Sequence, residues 1–123
     1  MRIHNVTRDQ TLATQAWEAV TRAQRRKGLL GRGSLDQGEA LFIRPCVGIH
    51  SFFMRFVIDV AFVDREGVVL HLIRRMKPWR ISRIVFGAAG VLELPAGVLE
   101  ATGTQVGDRL RFDRDDPGSI QEC

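Results

Sequence analysis

Phe56-Val57-Ile58-Asp59-Val60-Ala61-Phe62-Val63, followed by Asp64-Arg65-Glu66-Gly67 and residues 68–73, is the stretch on which the fold turns. Phe56, Ile58, Val60 and Phe62 alternate with Val57, Asp59, Ala61 and Val63. This period of two, enriched in aromatic and β-branched side chains, predicts a strand. The polar tetrapeptide ends in a glycine placed for positive φ, so residues 68–73 return as the second strand of a hairpin. Towards the C-terminus, Val91-Leu92-Glu93-Leu94 predicts another strand, stopped by Pro95-Ala96-Gly97. A short helical turn over residues 98–102 follows, then a turn at Val106-Gly107-Asp108 and a closing strand over residues 109–112. Towards the N-terminus, residues 2–7 and 12–20 predict strands divided by the polar turn Arg8-Asp9-Gln10. Thr21 with Gln24 three residues on predicts a capped helix start. Gly28 is placed to end that helix in the left-handed conformation, and Leu29-Leu30-Gly31-Arg32-Gly33 reads as a loop. Many short strands with turns every 8–12 residues predict a mainly β domain, a small barrel or sandwich with one or two short helices.

The bounds agree. A chain of 123 residues has room for one core, and 45% hydrophobic with 26% charged residues excludes wholesale disorder. The single domain is expected over residues 1–112, with residues 113–123 as an acidic, frayed tail. No apolar run approaches ~18 residues, so no membrane-spanning segment is expected and no membrane partner either. The opening Met-Arg-Ile-His-Asn-Val-Thr lacks the apolar stretch of a signal peptide, which points to the cytoplasm. Two cysteines, Cys46 and Cys123, are too few for a disulfide scaffold.

The charge is unevenly spread. The formal net charge of +4 divides into −3 on residues 113–123 and +7 on the rest. No acid stands between Gly67 and Leu92, a stretch that carries Arg74, Arg75, Lys77, Arg80 and Arg83. A second basic cluster is Arg22, Arg25, Arg26, Lys27 and Arg32. Such clusters attract anionic small molecules, acidic proteins or nucleic acid, although solvated arginine surface is the plainer reading.

Four segments resemble the domain-of-unknown-function family 192. They are residues 25–32 (Arg-Arg-Lys-Gly-Leu-Leu-Gly-Arg), residues 49–62 (Ile-His-Ser-Phe-Phe-Met-Arg-Phe-Val-Ile-Asp-Val-Ala-Phe), residues 91–97 (Val-Leu-Glu-Leu-Pro-Ala-Gly) and residues 106–110 (Val-Gly-Asp-Arg-Leu). The resemblance implies a small, mainly β bacterial or archaeal domain, often exported, with no established activity and hence no catalytic residues to carry over. Many members have Trp where this chain has Phe53, and many begin with a signal peptide that is missing here.

Candidate chemistry concentrates in the centre. Cys46, His50 and Met54 form a soft-ligand set suggestive of blue copper, with His4 as the second histidine needed; as an extended chain they would span over ~20 Å, and could converge only in a folded loop. Cys46 near His50 could also be a thiol nucleophile, yet nothing marks an oxyanion hole or an orienting acid, and buried inert thiols are common. Asp59 interrupts an apolar strand, so it is expected to be a buried staple or a pocket anchor, partnered by Arg55 or His50. Glu93 reads similarly, unless strand alternation turns it to water. Lys77-Pro78-Trp79-Arg80 could stack a base or sugar ring, but no nucleic-acid motif accompanies it; the plainer role for Trp79 is to cover an open end of the barrel. Trp17 reads as core. The function expected is a non-catalytic binding module for a small anionic ligand or acidic protein, its site drawn from His50, Ser51, Asp59, Trp79 and Arg80. The alternatives are a nucleic-acid binder, with only weak and non-specific affinity expected, and an enzyme or copper centre at Cys46, His50 and Met54. No cofactor is expected.

Overall fold

In the computed structural model, which describes residues 1–114, ten short elements alternate with tight turns. In chain order they are β1 (Arg2–Asn5), β2 (Gln10–Ala13), β3 (Gln15–Ala19), α1 (Arg22–Lys27), β4 (Glu39–Ile43), β5 (Ile58–Val63), β6 (Val69–Met76), β7 (Gly90–Pro95), α2 (Val98–Thr102) and β8 (Leu110–Asp113). They form a three-stranded sheet in the order β2-β1-β8 and a five-stranded sheet in the order β3-β4-β7-β5-β6. The chain is therefore mainly β and sandwich-like, and the barrel expected as an option does not close. No helix is long and apolar enough to cross a membrane.

The hairpin is present as β5 and β6, with β7 on the other side of β5. Asp64 Oδ1 accepts the N–H groups of Glu66 and Val68, both at 2.9 Å, and so closes the turn. Gly67 has φ +85, and a Cβ there would lie 2.3 Å from the Leu110 carbonyl oxygen, so only glycine fits. The alternation on β5 does not separate core from water, because all six residues of the strand are buried. Ala61 and Val63 pack towards the three-stranded sheet and α2, in a cluster with Ile3, Leu92, Leu94, Leu99 and Leu110. Ile58, Val60 and Phe62 pack on the opposite face, with Leu29, Leu41, Met54, Val85 and Val91. The five-stranded sheet is thus the middle layer, with a sheet on one face and loops with α1 on the other.

Several sequence expectations change. The strand expected over residues 12–20 is two strands: β2 pairs with β1 and β3 with β4, because the chain passes from one sheet to the other at Thr14. The pair β3–β4 is parallel, and α1 lies within its crossover, as parallel pairing demands. β4, Glu-Ala-Leu-Phe-Ile, is a strand beyond those expected, since a run buried on both faces lacks alternation. The capping box at Thr21 and Gln24 is formed, but Gly28 adopts φ 48, ψ −126, outside the left-handed helical region. Trp17 is not core: β3 is an edge strand that buries Ala16 and Ala19, and the exposed indole carries the Arg32 guanidinium 5.2 Å from its ring centroid. β8 runs to Asp113, and residues 115–123 of the expected acidic tail lie outside the described residues.

Candidate functional site: an acid-floored pocket beside an aromatic ribbon

Glu93 sits on the central strand of the larger sheet, beside Leu41 of β4 and Val60 of β5. The strand period puts it on the face with Val91, the one covered by α1 and the loops, rather than in water. It is 3% exposed, and burial raises its carboxyl pKa to about 7. No hydrogen bond or ion pair within the described residues reaches it. No sealed side-chain nitrogen or oxygen among those residues lacks a partner. The unpartnered Glu93 oxygens therefore open onto the cavity that Glu93 lines, about 310 Å³ in volume.

The walls of that cavity are apolar, with Leu29, Leu30, Ile43, Ile49 and Met54, and its rim is basic, with Arg25, Arg26 and Lys27 of α1. Arg26 and Lys27 are exposed at the last turn of the helix, where cations are electrostatically favoured. Cys46 and His50 line the cavity together with Met54, all three lying in the irregular segment of residues 44–56. Burial pushes the Cys46 thiol pKa up, and the thiol donates to the Gly48 carbonyl at 3.1 Å. A thiol held in its neutral form is poorly suited to nucleophilic attack. Among the described residues, no group of three or more His, Cys, Asp and Glu stands together as a metal site.

Asp59 lies elsewhere. Neither Arg55 nor His50 is its hydrogen-bond partner. Its two oxygens accept three backbone N–H groups: Arg75 at 2.9 Å, Gly97 at 3.0 Å and Leu99 at 2.9 Å. The carboxylate fastens β6 and the start of α2 to β5, and its orientation differs from that of Glu93. Asp108, expected only as a turn residue, ties the two ends of the fold together. It accepts from Asn5 at 3.0 Å, Arg8 at 3.0 Å and the Gln105 N–H at 2.9 Å. Burial pulls its pKa up, but the hydrogen bonds from Arg8 and Asn5 outweigh this and hold the carboxyl below its ordinary range.

Ser51, Trp79 and Arg80 belong to a second feature. Residues 47–52 run against residues 79–85 through hydrogen bonds from Trp79 N–H to Ser51 O, Ser51 N–H to Arg80 O, Ser82 N–H to Ile49 O and Val85 N–H to Val47 O, between 2.8 and 2.9 Å. Buried Ser51 locks this ribbon: its hydroxyl donates to the Lys77 carbonyl at 2.6 Å and accepts the Arg80 N–H at 2.9 Å. Trp79 stands on this ribbon. It is exposed, with its ring centroid 4.6 Å from that of Phe53 and 5.8 Å from that of Phe52. Phe53 and Trp79 both have positive φ, 66 and 64, a conformation that costs L-residues roughly 1–2 kcal/mol. His50, stacked on Phe52 at 4.8 Å, stands where pocket and ribbon meet.

A larger cleft of about 910 Å³ lies between β4, the β5–β6 turn and β8. Most of its arginines are already matched: Arg44 and Arg114 with Glu18, Arg109 with Glu66 and Arg111 with Asp113. The smaller pocket, with its unmatched acid and basic rim, is the stronger candidate.

Fold and pocket together define a small two-sheet β domain with a side pocket opening beside a basic helix end. The chain belongs to the family DUF192, described as "Uncharacterized ACR", which matches residues 3–112. It is similar to a UPF0127 protein of Pyrococcus furiosus, 39% identical over 66 residues that cover 54% of this chain and 56% of that protein. The chain thus spans about half the length of the curated relatives it matches. Two solved structures share the fold. A protein of unknown function from Novosphingobium aromaticivorans has a TM-score of 0.78 at 19% identity, covering 90% of this chain and 82% of its own. A Sinorhizobium meliloti protein, provisionally named a transcription regulator, has a TM-score of 0.75 at 24% identity over 89% of each chain.

Proposed function

We propose that this chain is a small-ligand binding module whose site is the pocket floored by Glu93. The observation that carries the reading is the buried Glu93 carboxyl, which lines a cavity and makes no hydrogen bond within the described residues. Buried polar groups are nearly always satisfied, so an orphan acid facing a cavity calls for a ligand that hydrogen-bonds to it. The basic rim at Arg25, Arg26 and Lys27 adds attraction for an anionic group at the mouth. The ligand class is a small molecule with a hydroxyl or amine at one end and a phosphate or carboxylate at the other.

Titration calorimetry with glycerol 3-phosphate, ribose 5-phosphate and the matching unphosphorylated polyols tests this. The phosphorylated probes should bind, Glu93→Ala should abolish the heat, and Arg26→Gln with Lys27→Gln should weaken it about tenfold. Binding of these probes that is indifferent to Glu93, or no binding by any of them to the folded protein, would refute the reading.

A further inference from the structure

We infer that the ribbon of residues 47–53 and 79–86 seats this domain on an anionic lipid surface. Among the described residues, seven of the eleven exposed large hydrophobic ones lie on it. Phe86 is 89% exposed, Ile81 74% and Phe53 69%, joined by Trp79, Ile84 and Phe52. This exposure is held in place. The backbone hydrogen bonds and the Ser51 hydroxyl fix the ribbon from beneath, and Met54 and Val85 anchor it in the core. Apolar side chains held out in water on a fixed backbone, with Phe52 and Phe53 packed on Trp79, mark an interaction surface.

Charge selects the occupant. Lys77, Arg80, Arg83 and Arg55 flank these side chains, and neither residues 46–56 nor residues 77–88 contain an acid. All four cations are exposed. Two copies of the chain meeting through this face would bring like charges together. None of Phe52, Phe53, Trp79, Ile81, Ile84 and Phe86 lines either of the two cavities described; these side chains project from the ribbon into water. Aromatic and aliphatic tips ringed by Arg and Lys suit the boundary between headgroups and acyl chains, where Trp sits readily and each cation near the surface adds attraction. The expectation of no membrane partner rested on the lack of a spanning segment, and lying on a bilayer needs none.

The test uses Trp17→Phe protein, so that Trp79 alone reports, with vesicles of phosphatidylcholine with or without about 30% phosphatidylglycerol. The protein should sediment with the anionic vesicles, its fluorescence should shift to shorter wavelength, and added salt should reduce both. Ile81→Ser with Phe86→Ser should weaken binding about tenfold while the melting temperature holds, since both side chains are in water. Absence of binding to anionic vesicles would overturn the inference, as would binding unchanged in the double variant. So would tight binding of polyglutamate through the same residues, which would assign the ribbon to an acidic protein, or a dimer dissolved by the two serines. The pocket variants Glu93→Ala and Arg26→Gln should leave vesicle binding intact, which keeps this outcome separate from the ligand reading.

Discussion

Asp59 and Glu93 stand on neighbouring strands of one sheet and point to opposite faces: Asp59 is in register with Leu94, and Glu93 with Val60. Asp59 accepts three backbone N–H groups, whereas Glu93 accepts none within the described residues. Two acids that look alike in the sequence therefore have different physical roles.

Removing Asp59 strands the N–H groups of Arg75, Gly97 and Leu99. Asp59→Ala should lose on the order of 1–3 kcal/mol in urea unfolding, with Asp59→Asn intermediate because it keeps one acceptor oxygen. An unchanged urea midpoint for Asp59→Ala would show that the three donors find other partners.

Glu93 makes stability depend on pH in the opposite sense to a paired carboxylate. Its folded pKa of about 7 lies above the ordinary 4.5, so the folded state holds a proton that the unfolded state has released. Its contribution is fully present below about pH 4.5 and is lost as pH rises through 7, by on the order of 3 kcal/mol. Glu93→Gln should abolish this fall and be the more stable protein at pH 8. A wild-type stability that is flat between pH 5 and 8, measured by unfolding at matched ionic strength, would contradict the assignment.

Nucleic-acid binding should be weak, about micromolar or poorer at physiological salt, and should decay steeply as salt rises. The basic side chains have different local engagements: Arg25, Arg26 and Lys27 rim the pocket, Arg32 bonds Glu39, Arg74 donates to the Thr104 carbonyl and Lys77 and Arg80 flank the ribbon. Titrations of single- and double-stranded DNA and RNA at two salt concentrations check this. Nanomolar affinity that survives high salt and drops in Trp79→Ala would revive the nucleic-acid reading.

The hairpin, β7, α2 and the capping box of α1 were legible because local chemistry determines them: period-two alternation, a turn glycine, a Pro-Ala-Gly stop and a Thr–Gln box. β4 and the split at Thr14 were not, since burial on both faces and a change of sheet leave no local trace. The importance of Glu93 was half visible. A charge inside Val-Leu-Glu-Leu signals either water or need, and only the layer covering that face decides which. Linking it to Arg25, Arg26 and Lys27 required the crossover that carries α1 over the sheet. Asp59 could be recognised as a buried acid, but its donors could not, because backbone N–H groups carry no sequence signature.

The pairing of β1 with β8 bears on how the chain acquires its shape. Asn5 and Asp108 meet across 103 positions of sequence. A chain synthesised from its N-terminus therefore holds its first strand without that partner until almost the whole domain has emerged. The hairpin of β5 and β6 can form early, from contacts close in sequence, while the three-stranded sheet closes late and slows folding. During that interval the β8-side backbone edge of β1 is open to wrong partners, so overproduction should favour aggregation of nascent chains over loss of finished protein.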